Sequence, residues 1–346
     1  MHGTQTLARG LTGGATYSSF QWDLVLYALV VAGMAVLASF IYAVMTKGEI
    51  SKKYRAASHA SALICAVAAV AYLLLVLYWN LGFSLQGENF VPSAVHRFSN
   101  GFRYTDWSVT VPLLTVEMLA VCSLAGAKAR NLRVTTMAAA FLMIVTGFIG
   151  NELNEGPQPN TAALVIWGLI STAFYLYLYV ALAGAIRASA GTMSAPAYTS
   201  LRNAGILLFS VWGTYPLVYL IFAFTRTSAD WAITAQLAFC AADITAKAGF
   251  GALIHKIAKL RTAEDAAAGR ETLPDIYPEE VWVSHEKLSE PRHPLAMTDG
   301  VPVDGQSALA PVGAPAAPAP ETVVMVEDYP AAGGIDGPGN GSHRRP

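Results

Sequence analysis

The sequence predicts an all-α membrane protein: a seven transmembrane helix bundle with its N-terminus outside and its C-terminus cytoplasmic. Three observations lead there. Of the 346 residues, 54% are hydrophobic and only 13% charged, where soluble domains carry roughly a quarter charged residues, and the mean hydropathy is +0.43. Apolar stretches near the length of about 20 residues that crosses a bilayer as helix recur seven times. Most basic residues of the connecting loops fall on one side of the membrane.

Taken in order, residues 1–19 open with MHGTQTLARGLTGG, which lacks the apolar centre of a secretory signal, so they read as an extracellular segment before a retained first helix. The spans then run over about 23–45, 60–83, 102–125, 134–149, 161–186, 204–224 and 231–257. Lys47, Lys52, Lys53 and Arg55 follow the first span, Lys128, Arg130 and Arg133 the third, Arg187 and Arg202 flank the loop after the fifth, and Lys256, Lys259 and Arg261 close the seventh. The opposite loops mix His96, Arg97 and Arg226 with Glu152, Glu155 and Asp230, so the positive-inside rule sets the orientation. Residues 20–260 form one helical domain by this reading. Residues 261–346, dominated towards the end by Ala, Pro and Gly, read as a largely disordered cytoplasmic tail, with PDIYPEEVWVSHEKL as its best candidate for a docking segment.

A net charge of -1 without a basic block excludes a nucleic-acid partner. Cys65, Cys122 and Cys240 lie in apolar stretches with no ligand spacing, so they read as core thiols, with no metal site and no disulfide frame. The chain is expected in the cell membrane as a multi-pass protein, its partners the lipid bilayer and other copies of itself.

The third span, FRYTDWSVTVPLLTVEMLAV, carries Arg103, Asp106 and Glu117. Charges within a membrane helix cost about 2.5–3.5 kcal/mol each on insertion scales, so they face a bundle interior and mark ion or proton paths. Arg103, Asp106 and Thr110 are spaced i, i+3 and i+7 on one stripe. From Asp106 to Glu117 the helix turns back to within about 20° while rising roughly 16 Å. Both carboxyls therefore line one face, Asp106 towards the outside and Glu117 towards the cytoplasm. On the seventh span, CAADITAKAGFG places Asp243 and Lys247 one turn apart. Such a pair can be an ion pair that fixes packing, but a buried lysine is also the residue that forms Schiff bases, whose cation then needs an anion.

These residues resemble a family. The third-helix RYTDWSVTVPLL, the sixth-helix WGTYPLVYLI and the seventh-helix DITAKAGFG, in order and on the right spans, are similar to the signatures of microbial (type 1) rhodopsins. The resemblance implies all-trans retinal held on Lys247 as a protonated Schiff base, Asp106 and Asp243 as its counterion pair, and Arg103 one turn outward. It places Tyr72, Trp107, Leu114, Trp212, Tyr215, Pro216 and Tyr219 around the retinal. An aromatic cluster about a mid-membrane lysine supplies the flat apolar walls an elongated polyene needs.

The discriminating third-helix set, Asp106, Thr110 and Glu117, is similar to that of light-driven outward proton pumps of the proteorhodopsin and xanthorhodopsin type, which are ion transporters and not enzymes. Chloride pumps lack the first carboxylate, and sodium pumps use an Asn-Asp-Gln set. In this reading Asp106 accepts the Schiff-base proton, and Glu117, set among Leu, Val and Met, keeps its proton until it donates it. The alternative is a photosensory rhodopsin signalling through a partner or the tail.

Two departures from the pattern stand out. Ala71 occupies the place before Tyr72 where many such pumps have a histidine, and the loop TRTSADWAIT has no glutamate for a release pair. Leu114 is similar to the residue found in green-absorbing forms. Gly168, in IWGLIST, falls where xanthorhodopsin-like chains open a window for a hydroxylated carotenoid antenna, although a small residue there also permits close helix packing.

Overall fold

The computed structural model describes residues 14–155, 160–224 and 228–269, and four short strands further on. Strand β1 (Tyr17–Ser18) leads into α1 (Ser19–Thr46) through a capping box: Ser18 Oγ accepts from the Gln21 amide and Gln21 Oε1 accepts from the Ser18 amide, satisfying donors that a helix start otherwise leaves free. The buried residues of α1, Trp22, Val25, Leu29, Ala32, Val36 and Ala43, recur at three- and four-residue steps, while Tyr27, Val31, Met34 and Ile41 on the other faces are exposed. A helix that is apolar on the outside as well belongs in lipid, where backbone groups must be satisfied within the helix itself.

Helix α2 (Arg55–Leu81) is followed by an antiparallel hairpin of β2 (Phe83–Gln86) and β3 (Asn89–Pro92), with β1 added on the β3 edge in the register Tyr17 to Phe90. Gly87 turns the hairpin at φ +63, a left-handed conformation that glycine adopts without strain. This small sheet caps the extracellular end: Trp22 stacks on Phe90 with centroids 4.3 Å apart, and Tyr17, Trp79, Phe83 and Phe98 pack together beneath it.

Helices α3 (Gly101–Val121), α4 (Gly126–Glu155) and α5 (Thr161–Ala188) follow. The sixth span is divided at Gly213 into α6 (Ala195–Trp212) and α7 (Thr214–Phe224). Pro216, three residues on, has no amide to return to the Trp212 carbonyl, which is why the helix loosens there. The seventh span runs as α8 (Ala229–Asp243), a π-helical turn (Ile244–Gly249) and α9 (Phe250–Ala267). Six of these spans are long and apolar enough to cross a membrane by composition alone. The seventh is α3, which carries the three ionisable residues and packs between α2 and α4.

Residue 260, the boundary read from composition, falls inside α9. Beyond it Arg261, Thr262 and Asp265 are buried and tie three elements together. Ser51 donates its amide to Thr262 Oγ1 at 3.0 Å, the Tyr54 hydroxyl donates to Asp265 at 2.7 Å, and Arg261 donates to the Tyr54 hydroxyl at 3.2 Å and to the Thr192 carbonyl at 3.1 Å. Lys53 also bonds Asp265; burial would lower its ammonium pKa, but the hydrogen bonds to Asp265 and Tyr54 outweigh that and raise it. Further on, Val281–Val283 pairs with Glu286–Leu288 and Met297–Thr298 with Val301–Pro302. The rest of the expected tail, and the centre of the 225–227 loop, lie outside the described residues.

Candidate functional site

The π-turn carries Lys247. Its mark is the Phe250 amide reaching back five residues to the Thr245 carbonyl, and such single wide turns are frequent at functional sites. Lys247 is 2% exposed, and its Nζ lies 2.7 Å from Asp243 Oδ1 and 3.1 Å from Asp106 Oδ2. The lysine and the two carboxylates singled out in the sequence therefore meet.

The two carboxylates are not equivalent. Asp243 accepts from Tyr215 at 2.8 Å, from Tyr72 at 2.9 Å and from Trp107 Nε1 at 3.1 Å, and Arg103 stands 3.6 Å from its second oxygen. Asp106 has the lysine on one oxygen; its other, Oδ1, is buried without a hydrogen-bond partner. Thr110 donates to the Asp106 backbone carbonyl at 3.0 Å, and so holds the helix turn and not the carboxylate. Ala71 is buried, and the nearest histidine on that helix, His59, is exposed, so it does not stand in for the missing imidazole.

Arg103 is held from the outer side by Gln236 Oε1 at 2.8 Å, and Gln236 donates in turn to Asn100 Oδ1 at 2.9 Å. Gln236 and Asn100 are functional-site residues that the motifs do not include. The signal was available: an amide two turns before Asp243 in an apolar span needs a buried partner. Tyr72, expected against the ligand, does not line the main cavity; its hydroxyl accepts from Arg103 at 3.1 Å and donates to Asp243, acting as a bridge behind the carboxylate.

Trp107, Leu114, Trp212, Tyr215, Pro216 and Tyr219, together with Lys247, line a largely apolar cavity of about 520 Å³, within the range of sites that enclose a small organic molecule. An apolar space ending at an ammonium, with two carboxylates to balance a cation there, suits a long apolar aldehyde joined to the lysine nitrogen. The cavity continues past half-buried Gly168 to the exposed Leu169. A Cβ at Gly168 would come within 2.8 Å of Tyr219 Cε1, and the Tyr219 hydroxyl is fixed on the Leu164 carbonyl at 2.9 Å. The tyrosine ring therefore forms the floor of the opening. Glu117 is 1% exposed, with the Ser61 hydroxyl as its polar neighbour; it lies in a separate cavity described below.

Comparison with known proteins places this arrangement. A family model described as bacteriorhodopsin-like protein matches residues 23–260. The chain is 28% identical over 232 residues to the blue-light absorbing proteorhodopsin of Gamma-proteobacterium Hot 75m4, covering 66% of this chain and 83% of that one. Among solved structures, xanthorhodopsin, described as a light-driven ion pump with dual chromophore, is 30% identical with a TM-score of 0.67, covering 72% of this chain and 98% of its own. A thermophilic rhodopsin is 27% identical, also with a TM-score of 0.67, over 73% of this chain and 99% of its own.

Proposed function

The chain belongs to the bacteriorhodopsin-like family of retinal-binding membrane proteins, and from that premise we propose that it is a light-driven outward proton pump. The observation that carries the proposal is the inequality of Asp106 and Asp243 about Lys247 Nζ. Asp243 has its oxygens committed to Tyr72, Trp107, Tyr215, Arg103 and the lysine, so it stays ionised as a fixed countercharge. Asp106 keeps a buried oxygen free, and a carboxylate with an unsatisfied buried oxygen gains most from a proton. Retinal, when bound to Lys247, supplies the light-driven change of shape that starts the cycle.

Asp106 then takes the proton from Lys247 Nζ, and Glu117, on the same helix face towards the cytoplasm, returns one to that nitrogen. Trp107, Leu114, Trp212 and Tyr215 exclude water from the nitrogen, which keeps the proton on the carboxyl route. Outward of Arg103 stand Gln236 and Asn100, amides that cannot hold a releasable proton. That supports release late in the cycle from Asp106 itself. The test is to express the chain with all-trans retinal and record external pH under illumination. A light-driven acidification abolished by a protonophore is expected, and its absence from correctly coloured protein would overturn the pump.

A second chromophore is proposed for the same site. The cavity's passage beside Gly168 to the lipid-facing side of α5 supports docking of a hydroxylated carotenoid there, with the Tyr219 ring as floor.

A further inference from the structure

On the cytoplasmic side of Lys247 a second cavity, of about 250 Å³, lies between α1, α2, α3 and α9. Glu117 lines it, and so does His255, 8% exposed. The hydroxyl side chains of Ser39, Tyr42, Ser58 and Ser61 face the same space. His255 Nε2 is 3.3 Å from Glu49 Oε2, and Lys259 Nζ is 2.7 Å from that same oxygen. Glu49 is about a third exposed, with 30% of its side chain reaching water.

Lys247, Gly251, His255 and Lys259 follow one another at four-residue steps, so they climb one face of the seventh span by about 6 Å each. The glycine in this series leaves room beside it for Ser61 and Glu117. A Cβ at position 251 would lie 2.6 Å from Ser61 Oγ and 3.5 Å from Glu117 Oε1, filling the space between the serine and the carboxyl. The groups facing His255 are Glu49 from the turn after α1, Lys259 from its own helix, and Tyr42 from α1, whose ring meets the imidazole edge-on at 5.5 Å. Burial pushes the Glu49 carboxyl pKa up, but hydrogen bonds from Lys259 and His255 outweigh it and leave it below the ordinary value. A tie between a loop and a helix would account for the ion pair alone; it would not account for a cavity with hydroxyl-bearing walls that has this imidazole and a buried carboxyl on its lining.

We propose that His255 and Glu49 form the proton-uptake entrance of this chain, passing protons from cytoplasmic water through the 250 Å³ cavity to Glu117. The inference rests on Glu117 being the internal donor. Each transfer moves one proton and no electrons. Glu117, left as a carboxylate after giving its proton to Lys247 Nζ, takes one from the His255 imidazolium through water and the Ser58 and Ser61 hydroxyls. Neutral His255 is recharged from bulk water by way of the Glu49 carboxylate. At 3.3 Å the carboxylate and imidazole are close to hydrogen-bond reach, the range in which positioned acids and bases exchange protons.

The experiment uses the full chain reconstituted with retinal in vesicles, comparing His255→Phe, His255→Asn and Glu49→Gln with Glu117→Gln and with Lys256→Gln, an exposed control on the same helix. Two quantities are read. One is proton uptake after a flash, followed with a pH-indicator dye. The other needs no light: the rate at which the infrared band of the Glu117 carboxyl, identified by its loss in Glu117→Gln, shifts on transfer to D₂O. Both should slow tenfold or more in the two His255 variants, with the visible band unchanged, and the dependence of wild-type uptake on imidazole protonation should vanish from the pH profile. His255→Asn retains a polar contact to Glu49, so it reads the proposal even if His255→Phe does not fold. Wild-type values of both quantities in His255→Asn and Glu49→Gln, with Glu117→Gln slowed, would overturn the entrance alone. Unchanged uptake in Glu117→Gln would overturn the donor reading and the entrance with it.

Discussion

Replacing Lys247 with alanine tests the centre of the site in two ways. The buried cluster holds two cations, Lys247 and Arg103, against two carboxylates, Asp106 and Asp243. Without the lysine, Asp243 keeps three hydrogen-bond donors and the guanidinium, whereas Asp106 loses the cation 3.1 Å from it and already has one bare oxygen. Removing one member of a buried pair costs about 3–5 kcal/mol. Because Asp106 can relieve part of this by taking a proton, the lower end, about 3 kcal/mol, is expected. At roughly 2–4 °C per kcal/mol for a bundle of this size, retinal-free Lys247→Ala should melt about 6–12 °C below the retinal-free wild type at neutral pH. Adding Asp106→Asn should recover most of that, since an amide needs no countercharge. The assay is thermal unfolding in lipid nanodiscs by circular dichroism, with a visible spectrum after addition of all-trans retinal, where Lys247→Ala should stay colourless. A retinal band in Lys247→Ala would refute the attachment site. Equal melting temperatures in wild type and Lys247→Ala would refute the claim that the lysine balances the carboxylates.

Other expectations are as direct. Asp106→Asn should move the visible band to longer wavelength, because a negative charge 3.1 Å from Lys247 Nζ is lost, and should abolish pumping; a variant that still acidifies the medium would remove Asp106 as acceptor. With Leu114 on the cavity wall, the purified pigment should absorb green light at neutral pH, and a blue-absorbing protein would contradict that. Lutein or zeaxanthin added to the retinal-bound protein should show sharpened vibronic bands and contribute to the action spectrum of pumping. That contribution should disappear in Gly168→Trp, which must displace Tyr219, and its persistence there would sink the window. The cytoplasmic ties should respond to pH at both extremes. Glu49, with its pKa lowered, contributes stability above its unfolded value of 4.5 that is lost as pH falls through its folded value. Lys53, raised, contributes below its unfolded value of 10.5 and loses that contribution as pH rises through its higher folded value. Glu49→Gln should therefore flatten the acid limb of a melting-temperature profile and leave the alkaline limb alone.

The membrane class and the seven spans were legible from run length and loop charge, and the Asp243–Lys247 pair from its four-residue spacing; that Asp106 of the third span meets them was implied by the resemblance to microbial rhodopsins. What escaped depended on contacts between distant segments. The hairpin at Phe83–Pro92 carries no Asn-Gly signal, and β3 is paired on both edges, by β1 as well as β2. Helix α9 continues beyond Leu260 because Arg261, Thr262 and Asp265 find partners on Ser51, Tyr54 and Thr192, which composition cannot reveal. Trp107 and Tyr215 were read as walls for a ligand; they are also hydrogen-bond donors to Asp243, a role visible only once the third, sixth and seventh spans are side by side.

The π-turn at Ile244–Gly249 bears on how one helix serves two compartments. A wide turn accommodates one extra residue, equivalent to a phase change of about 100° between the helix before it and the helix after it. Gln236, Cys240 and Asp243 on the outer segment point at Arg103, while Gly251 and His255 on the inner segment border the cavity that holds Glu117. The lysine sits at the joint. Deleting one residue from the turn would bring the two segments back into phase, and the outer and inner groups could no longer both face the interior. The turn from the Arg103 cluster to the Glu117 cavity is thus encoded as a single supernumerary residue in an otherwise regular helix.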